Sequence, residues 1–141
     1  MYSNPAREIA LLHNKKYEWG NTTVSELNKS LENVKGDLFH GILDFELDKG
    51  LGMELHYKGE PIIYYDGNYN SFNHINYIND DPKKFRFKVE FIIDRTSIEA
   101  YIDNGKLSIS NSLKYTNNEG LKLLGDLKIH SLELYELKSI W

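Results

Sequence analysis

Between Phe87 and Ser110 the hydrophobic side chains fall at every second position, and no other stretch restricts the fold as tightly. Phe87, Val89, Phe91 and Ile93 stand opposite Arg86, Lys88 and Glu90. That is the period of a strand with one buried and one wet face. Four polar residues, Asp94 to Ser97, interrupt the pattern before Ile98, Ala100 and Ile102 resume it opposite Glu99 and Tyr101. Asp103-Asn104-Gly105 then supplies a tight turn, because Asn and Gly tolerate the positive φ such hairpins need. Lys106 to Ser110 alternates again, so the stretch predicts three consecutive antiparallel strands.

The same reading extends outward from this meander. Leu43, Phe45 and Leu47 share one face of a strand over 38–47, with Asp44 and Glu46 on the other. Leu51, Met53, Leu55 and Tyr57 alternate with Gly52, Glu54 and His56, and Ile62 to Tyr65 follows a turn at Lys58-Gly59-Glu60-Pro61. Asp66 to Asp81 is Asn-rich without a clean period and predicts a loop with a distorted strand inside; loops of this length are often functional. Leu127 and Ile129 hold one phase, Leu132 and Leu134 the other, and Tyr135 and Leu137 return to the first. The shift near Ser131 predicts a β-bulge, since one extra residue turns the following side chains to the opposite face. Tyr17 to Val24 is β-rich, and Asn117 to Gly120 marks a loop. Pro5 to Leu12 has helix formers for barely two turns, so residues 1–15 are expected to be a lead-in segment docked on the domain. Short strands separated by turns, with hardly any helix, point to an all-β sandwich or barrel.

Length and composition narrow the function. The chain has 141 residues, enough for one domain with a sizeable core and too few for two ordinary ones, so a single domain over 1–141 is expected. Ten Tyr against six Phe suit half-buried sheet faces, where a ring packs and a hydroxyl stays wet. Net charge is −4 and the longest basic runs are pairs, Lys15-Lys16 and Lys83-Lys84, which argues against nucleic acid as a partner. Cys is absent, so disulfides, thiolate metal sites and a cysteine nucleophile are excluded. The five His show no metal-ligand spacing, and no metal or cofactor is expected. No apolar run is long enough to cross a bilayer as a helix, and Met1 to Pro5 is unlike a secretory signal, so no membrane partner is expected. Asn21-Thr22-Thr23 and Asn28-Lys29-Ser30 match the N-glycosylation triplet, a pattern that chance supplies readily in an Asn-rich chain.

Several motifs resemble the C-terminal β-sandwich of glycoside hydrolase family 32, which comprises levanases, inulinases, invertases and sucrose-6-phosphate hydrolases. They are Asn4-Pro5-Ala6-Arg7-Glu8-Ile9, Tyr17-Glu18-Trp19, Gly36-Asp37-Leu38-Phe39, the hairpin Asp94-Arg95-Thr96-Ser97-Ile98-Glu99 with its Asp103-Asn104-Gly105 turn, and the closing Ser131 to Leu137 with Ile140-Trp141. The resemblance implies a jelly-roll-like (concanavalin-like) sandwich of two antiparallel sheets, appended in whole enzymes to a catalytic five-bladed propeller. The propeller's motifs are missing: Asn79-Asp80-Asp81-Pro82 only echoes the nucleophile motif W-M-N-D-P-N-G, and the acid/base Glu-Cys pair cannot occur without Cys. Nothing in the chain recommends two carboxylates as a hydrolytic pair, so it is expected not to be an enzyme on its own.

The resemblance also extends to free-standing fructan-binding modules, carbohydrate-binding module family 66. It therefore implies two readings: an accessory module that binds terminal fructosyl units of a fructan, or a structural sandwich that packs on a catalytic propeller. Under the first, Asp94, Arg95 and Glu99 of the hairpin and Asp66 of the Asn-rich loop are the candidate sugar contacts, since carboxylates and Arg grip adjacent hydroxyls. Many relatives carry Asp-Arg where this chain has Asp66-Gly67. Under the second, Asp94, Arg95 and Glu99 pin the hairpin turn. Trp19 and Trp141 are expected to pack rather than to stack on a ligand, and Glu54 and His56 share the wet face of one strand. The motif opens at Asn4, which suits Met1 as a true start; the compartment is left open between the cytoplasm and excision from a secreted enzyme. A sandwich that normally leans on a propeller exposes an apolar face, so homo-oligomers are expected. Light scattering at high concentration checks this, and a clean monomer counts against it.

Overall fold

A computed structural model describes residues 13–34, 38–47, 51–76, 85–94, 96–112 and 120–137. Two antiparallel sheets face each other. The larger has the order β1 (His13–Trp19), β11 (Leu127–Leu137), β2 (Phe39–Leu47), β7 (Arg86–Ile93), β8 (Ser97–Ile102), β9 (Leu107–Ser112). The smaller has the order β10 (Leu121–Gly125), β3 (Met53–Tyr57), β4 (Glu60–Asp66), β5 (Ser71–Phe72), β6 (Ile75–Asn76). Of the lead-in segment expected over 1–15, residues 1–12 lie outside the described residues, as does the closing Ile140-Trp141, while 13–15 belong to strand β1.

The meander folds as its alternation predicts, with Val89 opposite Ile102 and Ile93 opposite Ile98. Asp103 and Asn104 take φ of 49° and 62° and Gly105 a φ of 90°, the left-handed conformations expected of that turn. The Asp103 side chain accepts the Lys88 N–H at 2.9 Å, and the Asp103 N–H donates to the Lys88 carbonyl at 2.8 Å, tying the turn to β7. Inward-facing residues of both sheets form one core. Its centre is aromatic: Tyr65 and Phe72 of the smaller sheet meet Phe87 of the larger at ring-centroid distances of 4.9 and 5.1 Å. Gly41 of β2 faces the Phe91 ring, which fills the space a Cβ would need.

The β-bulge falls where the phase shift places it: the pairing of β11 with β2 slips between Ile129 and Ser131. The extra residue, His130, is turned outward, where its Nε2 lies 3.0 Å from Glu46. The expected second shift does not occur. Tyr135 stays in register opposite His40, on the outer face, because both partners of that pair point away from the core. Leu51 also departs from expectation: it precedes β3 and is 37% exposed, so the inward set begins at Met53. The Asn-rich loop holds a small hairpin, β5 and β6, with its Asn73-His74 turn at φ of 49° and 66°; 77–81 lie outside the described residues.

The alternation did not predict helix α1 (Val24–Leu31), which lies where a β-rich stretch was expected to end. Its signal is the pair Thr23 and Glu26: the Thr23 hydroxyl accepts the Glu26 N–H at 3.2 Å, as an N-cap does. Leu27 and Leu31 bury one face of the helix. Between them Asn28 reaches edge strand β10, donating to the Leu123 carbonyl and accepting the Leu123 N–H, each at 2.8 Å. The amide thus satisfies the backbone groups an added strand would seek. Among the described residues no helix is long and apolar enough to cross a membrane.

Asn28→Ala leaves both Leu123 groups unpaired and is expected to cost about 1–3 kcal/mol in urea denaturation. In a secretory eukaryotic host, mass spectrometry is expected to find glycan, if any, on the exposed Asn21 and none on Asn28. Gly41→Ala pushes against the Phe91 ring and is expected to cost about 1–3 kcal/mol by the same measurement.

Candidate functional site

Of the four residues expected to contact sugar, Asp94 and Glu99 belong to the β7–β8 hairpin of the six-stranded sheet and Asp66 to the end of β4 in the other sheet. Asp94 closes the β7–β8 turn: its backbone N–H donates to Ser97, and its Oδ1 accepts the Thr96 N–H at 2.9 Å and the Thr96 hydroxyl at 3.4 Å. That carboxylate therefore caps its own turn. Arg95 lies outside the described residues. Glu99 is exposed on the outer face of the six-stranded sheet, where it accepts the Tyr101 hydroxyl at 3.2 Å. Asp66 ends β4 in the other sheet and accepts the Asn68 N–H at 2.9 Å.

Around Glu99, the outer face of the six-stranded sheet carries a polar cluster. Glu90 opposes Tyr101 across the strands, and its Oε2 lies 2.6 Å from the Nε2 of His40. His40 is only 1% exposed, and Tyr135 stacks on it with centroids 5.7 Å apart. Burial and the adjacent Glu99 carboxylate raise the Tyr101 phenol; burial and Glu133 raise Tyr135. Across the bulge, the hydrogen-bonded His130 imidazole lowers the Glu46 carboxyl.

On the five-stranded sheet Asp66 borders a groove of about 580 Å³. Pairing of Glu54 with Tyr64 and of Asp66 with Ser71 brings these side chains to one outer face, while Ile63, Tyr65 and Phe72 point into the core. His74 and Leu124 also line the groove. The His74 ring stands edge-on to Tyr64, with centroids 5.2 Å apart. Asn73 holds that turn in place: its N–H donates to the Tyr64 carbonyl at 2.8 Å, its Oδ1 accepts the Tyr64 N–H at 2.9 Å, and its Nδ2 donates to Ile62 at 3.0 Å. Sequence reasoning placed Glu54 on a wet face but missed Tyr64 and His74. The available signal was the second Tyr of Tyr64-Tyr65, since one of two neighbours on a strand must face outward. Among the described residues no three His, Asp or Glu side chains group to hold a metal.

Beneath the groove, burial, reinforced by the charge of Asp66, pushes the Tyr65 phenol from 10 up to about 12. The folded protein holds this proton more tightly than the unfolded chain. Stability is therefore complete below the unfolded value and falls as pH rises from about 10 towards about 12. Tyrosinate absorbance is expected to rise together with loss of the folded circular dichroism signal in that window. Tyr65→Phe is expected to weaken this dependence.

No protein-family model matches the chain, and no curated protein matches it in sequence. Solved structures do match. A fructofuranosidase from Schwanniomyces occidentalis, solved with fructose, aligns at TM-score 0.64 and 18% identity over 90% of this chain and 34% of its own. Fructan 1-exohydrolase IIa from Cichorium intybus aligns at TM-score 0.66 and 13% identity, over 96% of this chain and 38% of that one. Sucrose-6-phosphate hydrolase from Lactobacillus gasseri aligns at TM-score 0.69 and 15% identity, over 99% of this chain and 31% of that one. The chain thus spans about a third of the length of each of these enzymes. Its all-β sandwich has the fold of that third, and the resemblance to glycoside hydrolase family 32 read from its motifs holds at the level of the fold.

Proposed function

We propose that the chain is a non-catalytic accessory sandwich of a fructan- or sucrose-cleaving glycoside hydrolase, packing on a catalytic propeller. The observation that carries this reading is the alignment of nearly the whole chain with about a third of each such enzyme. The rest of such an enzyme has ample length for a separate catalytic domain. The reading also agrees with the side chains: the carboxylates singled out in the sequence are engaged in turns or with a neighbouring Tyr hydroxyl.

A finer reading adds recognition of terminal fructosyl units at the β7–β8 hairpin, through Glu99, Arg95 and Asp94. The exposure of Glu99 beside the Tyr101 hydroxyl favours it. The turn-capping role of Asp94 favours the purely structural alternative instead. Asp66 lies in the other sheet from Asp94 and Glu99, which favours a hairpin site without it.

Calorimetric titration with levan, inulin and fructose separates the two. Saturable heat that Arg95→Ala or Glu99→Ala abolishes is the outcome expected of a fructosyl site. Absence of heat, with binding to a separately produced propeller domain, is expected of the structural role. If neither sugar nor propeller binds, the accessory reading falls.

A further inference from the structure

We propose that the groove on the outer face of the five-stranded sheet is a second, side-on site for a neutral oligosaccharide chain, with Tyr64 as its platform and Glu54 and Asp66 as its hydroxyl acceptors. Three observations carry the proposal independently of the β7–β8 hairpin. The first is geometric. Strand pairing lines up Glu54, Tyr64 and Asp66 along one face, with the buried Ser71 opposite Asp66, giving a groove of about 580 Å³ that spans several strands. A site of this shape takes a chain lying across the sheet better than a single buried ring.

The second is chemical. Among the described residues the lining holds two carboxylates and no Lys or Arg. Carboxylates accept from the hydroxyls of a neutral sugar, whereas their field repels phosphate, sulfate and uronate groups. Asp66 spends one oxygen on the Asn68 N–H and Glu54 makes a long contact of 3.4 Å to His56, which leaves acceptor capacity on both. Among the described residues the Tyr64 hydroxyl and the His74 ring make no hydrogen bond, so both can meet a ligand.

The third is the support beneath the ring. Asn73 clamps the backbone on both sides of Tyr64 with three hydrogen bonds, and His74 holds a left-handed φ of 66° in which its ring abuts Tyr64. A platform held this way loses little freedom on binding. The large exposed hydrophobics among the described residues, Leu51, Tyr69, Ile75 and Leu124, all lie in or beside this same sheet, and Leu124 borders the groove. A sugar's apolar ring face is a fitting cover for such a surface.

The choice of fructans as first probes rests on the accessory-module reading; the groove itself does not. Titration of the chain with inulin, levan, dextran and dextran sulfate tests the site. Tyr64→Ala is expected to weaken binding of a neutral polysaccharide about tenfold. Tyr64→Phe, which keeps the ring, is expected to stay within about twofold, and Lys128→Ala, exposed on β11 of the other sheet, to leave binding unchanged. Thermal unfolding of Tyr64→Ala checks that the variant is folded, and Glu54→Gln with Asp66→Asn provides a second test without removing a ring. Tyr64-dependent binding of dextran alone upholds the groove and overturns the fructan reading. Fructan binding that depends on Glu99 and not on Tyr64 overturns the groove and leaves that reading standing. Preference for dextran sulfate, or no saccharide binding where a catalytic propeller binds, overturns the groove.

Discussion

The fold depends on a knot of aromatic rings between the sheets. Phe87 from the larger sheet touches Phe45 beside it and both Tyr65 and Phe72 from the smaller one, all at centroid distances between 4.9 and 5.8 Å. Edge and tilted arrangements at these distances are favourable beyond the apolar area they bury. Because Tyr65 and Phe72 are held from inside, their neighbours Tyr64, Asp66 and Ser71 must face outward. The core therefore also composes the outer groove. Glycine helps at one point: with no Cβ, Gly41 leaves the room in which the Phe91 ring lies.

Two asparagines do for exposed backbone what extra strands would otherwise do. Asn28 from the helix covers Leu123 on edge strand β10, and the Asn73 amide covers the Tyr64 N–H and the Ile62 carbonyl on β4. A side-chain amide suits this task because it carries a donor and an acceptor spaced much like those of a peptide. One clamp discourages strand addition at an open edge, and the other keeps a solvent-facing ring in place. Neither contributes to the apolar core, and both are invisible to hydrophobic periodicity.

The two outer faces differ in character, which separates the functions proposed for them. Over the six-stranded sheet, His40 is enclosed by Glu90 and Tyr135, so that face is already largely satisfied by its own partners. Glu99 sits at its margin with Tyr101. Over the five-stranded sheet, aromatic and acidic groups retain open valences around a groove.

Much of the fold was legible from residue order alone, because a strand's period is a local property. The meander, the inward set from Leu43 to Leu47 and the bulge at Ile129–Ser131 each follow from which neighbours alternate and where they stop. Part of the family resemblance came from motifs on those same strands, Ser97-Ile98-Glu99 on β8 and Ser131 to Leu137 on β11. The helix was within reach through Thr23 and Glu26, but eight residues are too few for a clear helical period. The site was less legible. Asp66 and Glu99 look equivalent in sequence, both acidic and both beside a turn or strand. Only tertiary structure assigns them to different sheets, and only strand pairing sets Glu54 against Tyr64 and Asp66 against Ser71. Sequence by itself determined which side chains face water where the alternation runs unbroken, as in the meander, since that period is encoded within each strand; the partners they meet there were decided by the order in which strands join, a long-range property that no local pattern carries.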